Sequence, residues 1–500
     1  MVSPSYFIRY KNNINETDMK RCSKQRLNHR PTVRFAAVFH VFFENIRFLS
    51  VFLSFLFIFQ YGTFFAKEIV VSAHVLKDLK GNPLPHDSRL GGGNIFIADQ
   101  YLPKNNEMRG IWIATAYNND FPVSSTAEKF RQNYLSVLSK SERAGINTIY
   151  FQVRPRNDAF YASKLNPWSR FLTGKEGQFY SDNFDPLQFM IQETHRRGMK
   201  FYATLNPYRI AVMQTKDGTV SQYLNSLSPL NYARRHPEHV LKVKTSKGNY
   251  LLLNPGEPKV RAFIADTVSE IISNYAVDGI VFDDFFYPME IRAEKSDYDT
   301  WRRLHTGNMG IEDWRRQNTE LMVRGVSSVI ASYNRRNKKN IQFGISPCSV
   351  WMNRSKAFPE GSLSTGLQSY ADSYFDIRKI VLNNQIDFVA PQVYSGFSHS
   401  AAPYATMVDW WCETVRNTNV KLYIAHGIYR IGEESDMSSV QELNNQVLYN
   451  VLKPKVSGSI LFPYNSVFKP KTDKIKLSCQ ALIEMLWKKQ YLPDTSTESK

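Results

Sequence analysis

Short apolar runs alternate with longer amphipathic segments along most of the chain from residue 107 onward. The apolar runs are rich in Ile, Val, Phe and Tyr, which is typical of strands covered on both faces in a parallel sheet. The longer segments repeat apolar residues at helical spacing, which indicates helices that pack one face against a sheet. Eight strands are predicted, at 109–116, 147–153, 200–205, 279–283, 341–346, 388–393, 421–425 and 458–462.

Helices are predicted between and after these strands, at 127–144, 186–197, 258–275, 311–334, 370–383, 404–416, 440–452 and 474–487. Eight strand–helix repeats over about 380 residues predict the α/β class and, within it, a (β/α)8 TIM barrel with long βα loops. An open doubly wound sheet is the alternative. It is disfavoured because no glycine-rich phosphate loop follows the first predicted strand.

The amino-terminal region has the layout of an export signal. An apolar run at 48–59 follows the basic residue Arg47 and precedes Ala66, where cleavage is expected. The run is short for a spanning helix of about 20 apolar residues, and a membrane anchor is the alternative. The predicted organisation is a basic leader at 1–66, a linker with a short strand at 67–106, the barrel at 107–490 and a polar tail at 491–500. The expected location is the periplasm or the cell envelope.

The composition narrows the class of partner. The chain carries a formal net charge of +18, and its aromatic content is 14%. A basic surface favours polyanions, but no run of Lys and Arg interleaved with aromatic residues occurs after the leader, so nucleic acid is not the expected partner. The four cysteines are widely spaced and form neither a disulfide framework nor a metal-ligand spacing.

The fourth predicted strand ends abruptly in two adjacent carboxylates, Asp283 and Asp284. In α/β barrels the residues at the carboxyl ends of the strands carry the chemistry. A solvated turn, with one aspartate capping the next helix, is the alternative. Adjacent strand residues project to opposite sides, so both carboxylates face the lumen only if the strand has already ended. Asp158, Glu257 and Glu290 on neighbouring loops are alternative partners for either one.

The other predicted strands also end in polar and aromatic residues. Amides and guanidinium groups suit a polyhydroxylated ligand, which they hold by hydrogen bonds while aromatic rings stack on it. The alternatives are internal struts for the arginines and packing beneath loops for the tryptophans. His426 is expected to be hydrogen-bonded in the core rather than to transfer protons. The predicted ligand-binding residues are Gln152, Arg154, Arg156, Asp158, Trp168, Asn206, Tyr208, Tyr287, Trp351, Gln392 and Tyr394.

Several short motifs follow one another in a set order: Met108-Arg109-Gly110-Ile111-Trp112, Gln152-Val153-Arg154-Pro155, Leu205-Asn206-Pro207-Tyr208-Arg209, Asn254-Pro255-Gly256, the stretch 278–288, Gly344-Ile345-Ser346-Pro347, Pro391-Gln392-Val393-Tyr394 and Gly427-Ile428-Tyr429. In order and spacing they resemble the glycosyl hydrolase-like 10 family over residues 107–465. The resemblance implies an exported bacterial TIM-barrel glycosidase, whose characterised relatives act on peptidoglycan glycan strands that lack stem peptides. It also implies that the family's fourth-strand aspartates are Asp283 and Asp284, without saying which is the acid.

The run Asp278-Gly279-x-x-x-Asp283 is also similar to the fourth-strand signature of family-18 chitinases. In that signature the acid is a Glu two residues after the final Asp, where this chain has Phe285. Val281 likewise replaces the middle acid. A mechanism that uses the acetamido group of the substrate is therefore not expected, and the acid must come from Asp284 or from a loop.

The sequence thus predicts an exported glycoside hydrolase that cleaves a cell-wall polysaccharide by carboxylate acid/base catalysis, with Asp283 and Asp284 as catalytic residues. The expected partner is a polysaccharide, with membrane attachment through the apolar leader segment as an option. A non-catalytic glycan-binding barrel at the cell envelope is the alternative, because the orthodox Glu acid is missing, and a structural envelope protein is a third reading. No cofactor and no metal is predicted.

Overall fold

The computed structural model describes residues 8–10, 69–86, 92–180, 183–214, 217–246, 248–283, 286–432 and 435–487. The apolar leader segment 48–59, the cleavage point at Ala66, the polar tail 491–500 and Asp284 therefore lie outside the described residues. Within the described ranges, no helix is both long and apolar enough to span a membrane.

The chain divides into two compact units. The smaller unit comprises Met1–His74 and Ala98–Gln100, and in it Ile8–Tyr10 pairs in parallel with Ile69–Val71. The larger unit comprises Val75–Ile97 and Tyr101–Lys500. Two more short strands of the amino-terminal part are Ala73–Val75 and Phe96–Ala98.

Eight parallel strands close into a barrel in the larger unit. They are β1 (Met108–Ile113), β2 (Thr148–Arg154), β3 (Lys200–Leu205), β4 (Gly279–Phe282), β5 (Gln342–Ile345), β6 (Phe388–Val389), β7 (Lys421–Gly427) and β8 (Val456–Phe462). Each strand pairs with the next along the chain, and β8 pairs with β1, so the sheet has no free edge. The predicted α/β class and (β/α)8 TIM barrel are confirmed.

A principal helix follows each strand. These are α1 (Ala127–Arg143), α2 (Pro186–Arg196), α3 (Pro258–Asn274), α4 (Ile311–Asn337), α5 (Ile377–Leu382), α6 (Tyr404–Thr414), α7 (Glu442–Val451) and α8 (Asp473–Ala481). Local sequence sets their ends: Asp185 caps α2 by accepting hydrogen bonds from the N–H groups of Leu187 and Gln188. Gly198, with φ of +67°, turns the chain out of the same helix toward β3.

Shorter helical segments lie in the connections, at Ala116–Asn118, Arg170–Thr173, Val220–Ser226, Tyr232–Arg235, Pro237–His239, Ile291–Glu294, Tyr298–Leu304, Ser369–Asp372, Ile428–Arg430, Ser435–Met437, Tyr464–Phe468 and Leu482–Trp487. The helix predicted at 370–383 is in fact two pieces, Ser369–Asp372 and α5. The chain breaks between them because Tyr374 has φ of +52° and the side chain of Asp376 caps α5.

The sequence did not predict a three-stranded antiparallel sheet that lies between β3 and α3. Its strands are Arg209–Met213, Val240–Thr245 and Gly248–Leu253, and the last is central because it pairs with both of the others. We call it the insert sheet. Its first strand begins at Arg209, shortly after β3 ends, so the insert sheet places a guanidinium group at the carboxyl end of β3.

Large side chains fill the barrel lumen. The rings of Tyr150 and Tyr202 stack with their centroids 5.0 Å apart, and Tyr202 meets Phe388 edge-on at 5.6 Å. Gly344 makes room for the ring of Phe388, since a Cβ at this position would lie 2.1 Å from it. The lumen is therefore a packed core, as is usual for this fold, and a ligand has access only at the mouth.

Candidate active site

A cavity of about 670 Å³ opens among the carboxyl ends of the strands. Residues from β1, β2, β4, β5, β6, β7 and β8 or from the loops after them contribute to its wall, together with Arg209 of the insert sheet. This is the end of the barrel at which TIM-barrel enzymes place their active sites. The lining residues are Trp112, Ala114, Ala116, Tyr117, Asn119, Gln152, Arg209, Asp283, Ser346, Gln392, Tyr394, Tyr429, Phe462, Pro463, Asn465, Ser466, Lys469, Lys471 and Ile475.

Asp283 lines this cavity directly after β4 and is held by the side chain of Asn206. The Nδ2 group of Asn206 donates to both carboxylate oxygens of Asp283, at 3.0 and 3.2 Å. The Oδ1 atom of Asn206 accepts a hydrogen bond from the backbone N–H of Arg209 at 2.9 Å. That second bond fixes which end of the amide faces Asp283. Donation from the amide stabilises the ionised form of the carboxylate.

The guanidinium of Arg209 interacts electrostatically with the carboxylate of Asp283. Burial lowers the pKa of this guanidinium, but the neighbouring Tyr250 and the negative charge of Asp283 outweigh it and raise the pKa above its ordinary value. Both Arg209 and Tyr250 belong to the insert sheet. The insert sheet therefore sets the electrostatics around Asp283, and the guanidinium is positively charged at any pH at which the fold is stable.

A strained loop after β1 presents an aromatic ring to the cavity. Tyr117 has φ of +57° and Asn118 has φ of +52°, a region that costs a non-glycine residue about 1–2 kcal/mol. The loop keeps this conformation because Oε1 of Gln152 accepts hydrogen bonds from the N–H groups of Thr115 and Ala116, at 3.1 and 2.9 Å. Gln152 thus shapes the loop with its oxygen and leaves its Nε2 donor for a ligand.

The ring of Tyr117 is 59% exposed although it is supported from behind. The guanidinium of Arg156 lies 5.1 Å from the centre of that ring and 4.9 Å from the centre of Phe171. Arg156 is therefore a cation–π support for Tyr117 and does not itself line the cavity. An exposed ring with a fixed backing suits stacking on a flat ligand face.

A second aromatic group lines the cavity. Tyr394 stacks on Phe462 with centroids 5.6 Å apart and an angle of 7° between the ring planes. Tyr429 meets both rings edge-on, at 6.0 and 6.1 Å. Next to this group, Nε2 of Gln392 donates to the carbonyl oxygen of Ser346 at 3.0 Å, which leaves its Oε1 as an acceptor for a ligand.

A buried carboxylate joins the loops after the first and last strands behind the cavity wall. Asp120 accepts hydrogen bonds from the N–H of Ala114 at 2.8 Å and from the N–H of Asn465 at 2.9 Å. Burial raises the pKa of Asp120 to about 6. Since Ala114 and Asn465 line the cavity and Asp120 does not, the role of Asp120 in the described structure is to hold these two loops together.

Of the residues predicted from the sequence, Asp283, Gln152, Gln392 and Tyr394 come together at the cavity. Asn206 lies directly behind Asp283. Asp284 lies outside the described residues, so its predicted role stays a prediction.

Arg154 does not line the cavity, because a β-bulge between Gln152 and Arg154 shifts the alternation of β2. The side chain of Arg154 is buried and donates to the carbonyl oxygen of Asn206 at 2.7 Å and to Oδ1 of Asn157 at 2.6 Å. Burial lowers the pKa of Arg154 to about 10. It is a brace beneath the loop that carries Asn206, which is the strut role that the sequence left open.

The remaining predicted residues pack around the mouth without lining the cavity. Buried Asp158 accepts from the N–H of Arg156 and from the hydroxyl of Ser169, and burial raises its pKa. Trp168 stacks on Phe179. Three more aromatic residues are buried: Tyr208 beside Phe286, Tyr287 beside Tyr374, and Trp351, whose Nε1 donates to Asp376.

The alternative carboxylates Glu257 and Glu290 are also absent from the cavity wall. Glu257 pairs with Arg303. His426 is buried in the core, with Nδ1 bonded to Gln446 and Nε2 to Ser459, as the sequence led us to expect.

One group of side chains in the described part of the chain could hold a metal ion, and it lies away from the cavity wall. The ligand atoms of His236, Glu238 and His239 all lie within 4.8 Å of one another. Cys412 and Cys479 are free thiols.

Several residues that line the cavity were not predicted from the sequence. Arg209 and Tyr429 stand at the ends of two of the sequence motifs, and their position there was the signal for them. Tyr117, Lys469 and Lys471 lie on loops whose course depends on distant contacts, and no local pattern marks them.

A closed (β/α)8 barrel with a carboxylate, amides and aromatic rings at its mouth defines a class, that of barrel enzymes that act on carbohydrates. The Glycosyl hydrolase-like 10 family matches residues 107–442, and the chain belongs to this family. The resemblance seen in the motifs is thereby confirmed.

Two relatives are similar over most of the barrel. Glycosyl hydrolase DigH from Escherichia coli (strain K12) is 39% identical over 383 residues, which cover 73% of this chain and 85% of that protein. Glycosyl hydrolase YngK from Bacillus subtilis (strain 168) is 34% identical over 371 residues, which cover 73% of this chain and 69% of that protein. The glycoside hydrolase domain of PgaB (BpsB) from Bordetella bronchiseptica superposes with a TM-score of 0.46 at 12% identity, over 76% of this chain and 99% of that one. With its family established, the chain is a glycoside hydrolase.

Proposed function

We propose that this enzyme hydrolyses glycosidic bonds of a cell-wall polysaccharide, namely peptidoglycan glycan strands that lack stem peptides, after export to the periplasm or cell envelope. The family and its relatives support a glycosidase. The specific glycan comes from the motif resemblance, and export comes from the apolar leader.

The observation that carries the proposal is the placement of Asp283 in the cavity with its ionised form stabilised. Asn206 donates to both of its oxygens, and the positive Arg209 stands beside it. A carboxylate in such surroundings is suited to act as a base on water or as a nucleophile on the sugar. It is poorly suited to be the acid, because an acid must hold its proton at working pH.

Glycoside hydrolysis also needs an acid that protonates the leaving oxygen. Among the described residues, Asp283 is the only Asp or Glu that lines the cavity. We therefore assign the acid to its neighbour Asp284. The proton passes from this carboxyl to the leaving oxygen as the glycosidic C–O bond breaks, while Asp283 directs water or its own oxygen to the anomeric carbon.

The other cavity residues position the sugar. The exposed rings of Tyr117 and Tyr429 supply apolar faces for pyranose rings. The Nε2 of Gln152 and the Oε1 of Gln392 supply a donor and an acceptor for hydroxyl groups. A cavity of about 670 Å³ lined by aromatic rings and amides fits the rings and hydroxyl groups of a glycan.

The test is product release, measured by mass spectrometry, from peptide-free peptidoglycan glycan strands, with chitin as a second substrate. We expect cleavage of the first substrate by the wild type, and its loss in both Asp283→Asn and Asp284→Asn. Glu290→Gln is the matched control, because this carboxylate lies outside the cavity wall, and it should cleave as the wild type does. Failure to cleave peptide-free strands would refute the substrate, and full turnover by Asp283→Asn would refute the role of that residue.

A further inference from the structure

The cavity wall carries more positive than negative charge. Its described charged residues are Arg209, Lys469, Lys471 and Asp283. Arg209 interacts with Tyr250 and with Asp283, and together they raise its pKa above the ordinary value despite burial. The positive charges of the two lysines are thus additional to the one that interacts with Asp283. Binding of a neutral sugar does not require them.

The two lysines stand together on the segment that joins β8 to α8. Lys469 follows the short helix Tyr464–Phe468, and Lys471 immediately precedes Thr472, the residue that caps α8. Both side chains are exposed. The lysine ion pairs that the described structure contains are made by Lys379 and Lys453, not by these two.

Hydrogen bonds hold both ends of the segment that carries Lys469 and Lys471. The N–H of Asn465 is bonded to Asp120, and the side chain of Thr472 accepts a hydrogen bond from the N–H of Ile475. The segment lies beyond residue 442, where the match to the family ends, so the family match assigns it no role. Two ammonium groups are therefore held on the cavity wall with no acidic side chain to neutralise them among the described residues.

We propose that Lys469 and Lys471 form an anion-binding subsite. It binds the carboxylate of an acidic sugar in the glycan strand that is cleaved at Asp283. This rests on the proposed function. In a glycan strand without stem peptides, the lactyl ether on each muramic acid ends in a free carboxylate. A stem peptide converts that carboxylate into a neutral amide, so its charge is lost. The two lysines would thereby select peptide-free strands by charge.

Binding to the full-length Asp283→Asn chain tests the subsite, since this variant does not consume the ligand. The probes are a peptide-free peptidoglycan oligosaccharide and the same oligosaccharide with its carboxylates converted to primary amides. Lys469→Met/Lys471→Met in that background should weaken binding of the acidic probe by about 3- to 30-fold, which corresponds to two partly exposed charge pairs. Binding of the amide probe should not change. Added salt should weaken binding of the acidic probe in the parent and have little effect in the double variant.

The matched control is Lys476→Met, an exposed lysine of α8 that does not line the cavity, and it should bind both probes as the parent does. Equal binding of the two probes by the parent, or an unchanged affinity of the double variant for the acidic probe, would overturn the proposal. Tighter binding of an oligosaccharide that carries a phosphate in place of the carboxylates than of the acidic probe would overturn the assignment of a carboxylate as the ligand of the subsite. Charge-dependent binding together with no hydrolysis by the wild type would refute the proposed reaction and leave the subsite standing.

Discussion

Replacing Asn206 by aspartate places a second carboxylate against Asp283 with almost no change of shape. In the native chain the Nδ2 of Asn206 lies 3.0 and 3.2 Å from the two oxygens of Asp283. The Oδ1 of Asn206 accepts from the N–H of Arg209, and an aspartate oxygen can keep that bond. The substitution therefore alters one contact. The NH2 group that donates to Asp283 is replaced by a carboxylate oxygen that carries the same negative charge as Asp283.

The separation of 3.0 Å sets the size of the effect. Two unit charges at that distance repel by about 5.5 kcal/mol at an effective dielectric constant of about 20, and by about 1.4 kcal/mol in bulk water. These energies raise the pKa of the second ionisation by about 1 to 4 units. The pair then shares one proton near neutral pH, as two neighbouring carboxylates do in other active sites.

The assay is the pH profile of kcat/KM from about pH 4 to about pH 9. The proposed role of Asp283 requires its ionised form, so the acidic limb of the profile for Asn206→Asp should move to higher pH by about 1 to 4 units. Activity should return only as the pH rises through the raised pKa. Asn206→Ala is the control: it loses the two donated bonds, so kcat should fall about 10- to 100-fold, but its acidic limb should move much less.

Thermal unfolding supplies an independent readout of the same contact. In Asn206→Asp the folded-state pKa lies above the unfolded value of about 3.9, so the folded state binds the extra proton. The loss of stability should be absent below about pH 4 and should grow as the pH rises through the raised pKa. An acidic limb that coincides with that of the wild type would refute the assignment of Asp283 as the ionised base or nucleophile.

Two further predictions follow from the cavity wall and from the core. Tyr117→Gly should leave the free energy of unfolding within about 1 kcal/mol of wild type, because relief of the positive φ offsets the lost ring contacts. In the Asp283→Asn background it should weaken glycan binding about 2- to 12-fold, and unchanged affinity would show that the ring does not stack on sugar. Burial lowers the pKa of His426 to about 4, below its unfolded value of about 6.5. The stability due to neutral His426, up to about 3 kcal/mol, should be present above pH 6.5 and lost as the pH falls toward 4. Urea unfolding should therefore show a smaller pH dependence for His426→Gln, and equal dependence in both chains would contradict this.

The barrel could be predicted because its strands are buried on both faces and therefore stand out as apolar runs. The insert sheet was not predicted, although Val240–Thr245 alternates apolar and lysine residues, because its strands lie within what reads as one long loop. The break at Tyr374 was also missed, since it depends on one backbone angle within a helical pattern.

The site was predictable only where a residue stands at the end of a regular strand. Asp283, Gln392 and Tyr394 lie at the cavity because they follow strands in register. The side chain of Arg154 does not lie on the same face of β2 as Gln152, because one extra residue in β2 interrupts the alternation. Nothing in the local sequence shows this bulge. Lys471 reaches the cavity through the fold of the β8–α8 segment, which no pattern of its own residues reveals.

The buried bond between Asp120 and the N–H of Asn465 joins positions 345 residues apart. A ribosome makes Asp120 well before Asn465, so this bond cannot form until the chain has been extended through β8. A nascent chain that ends before Val456 lacks β8 and also lacks the bond between Asp120 and Asn465, which joins the loops after β1 and β8. The loop that carries Tyr117 therefore reaches its final position late in folding, after Asn465 has been made and β8 has closed the barrel.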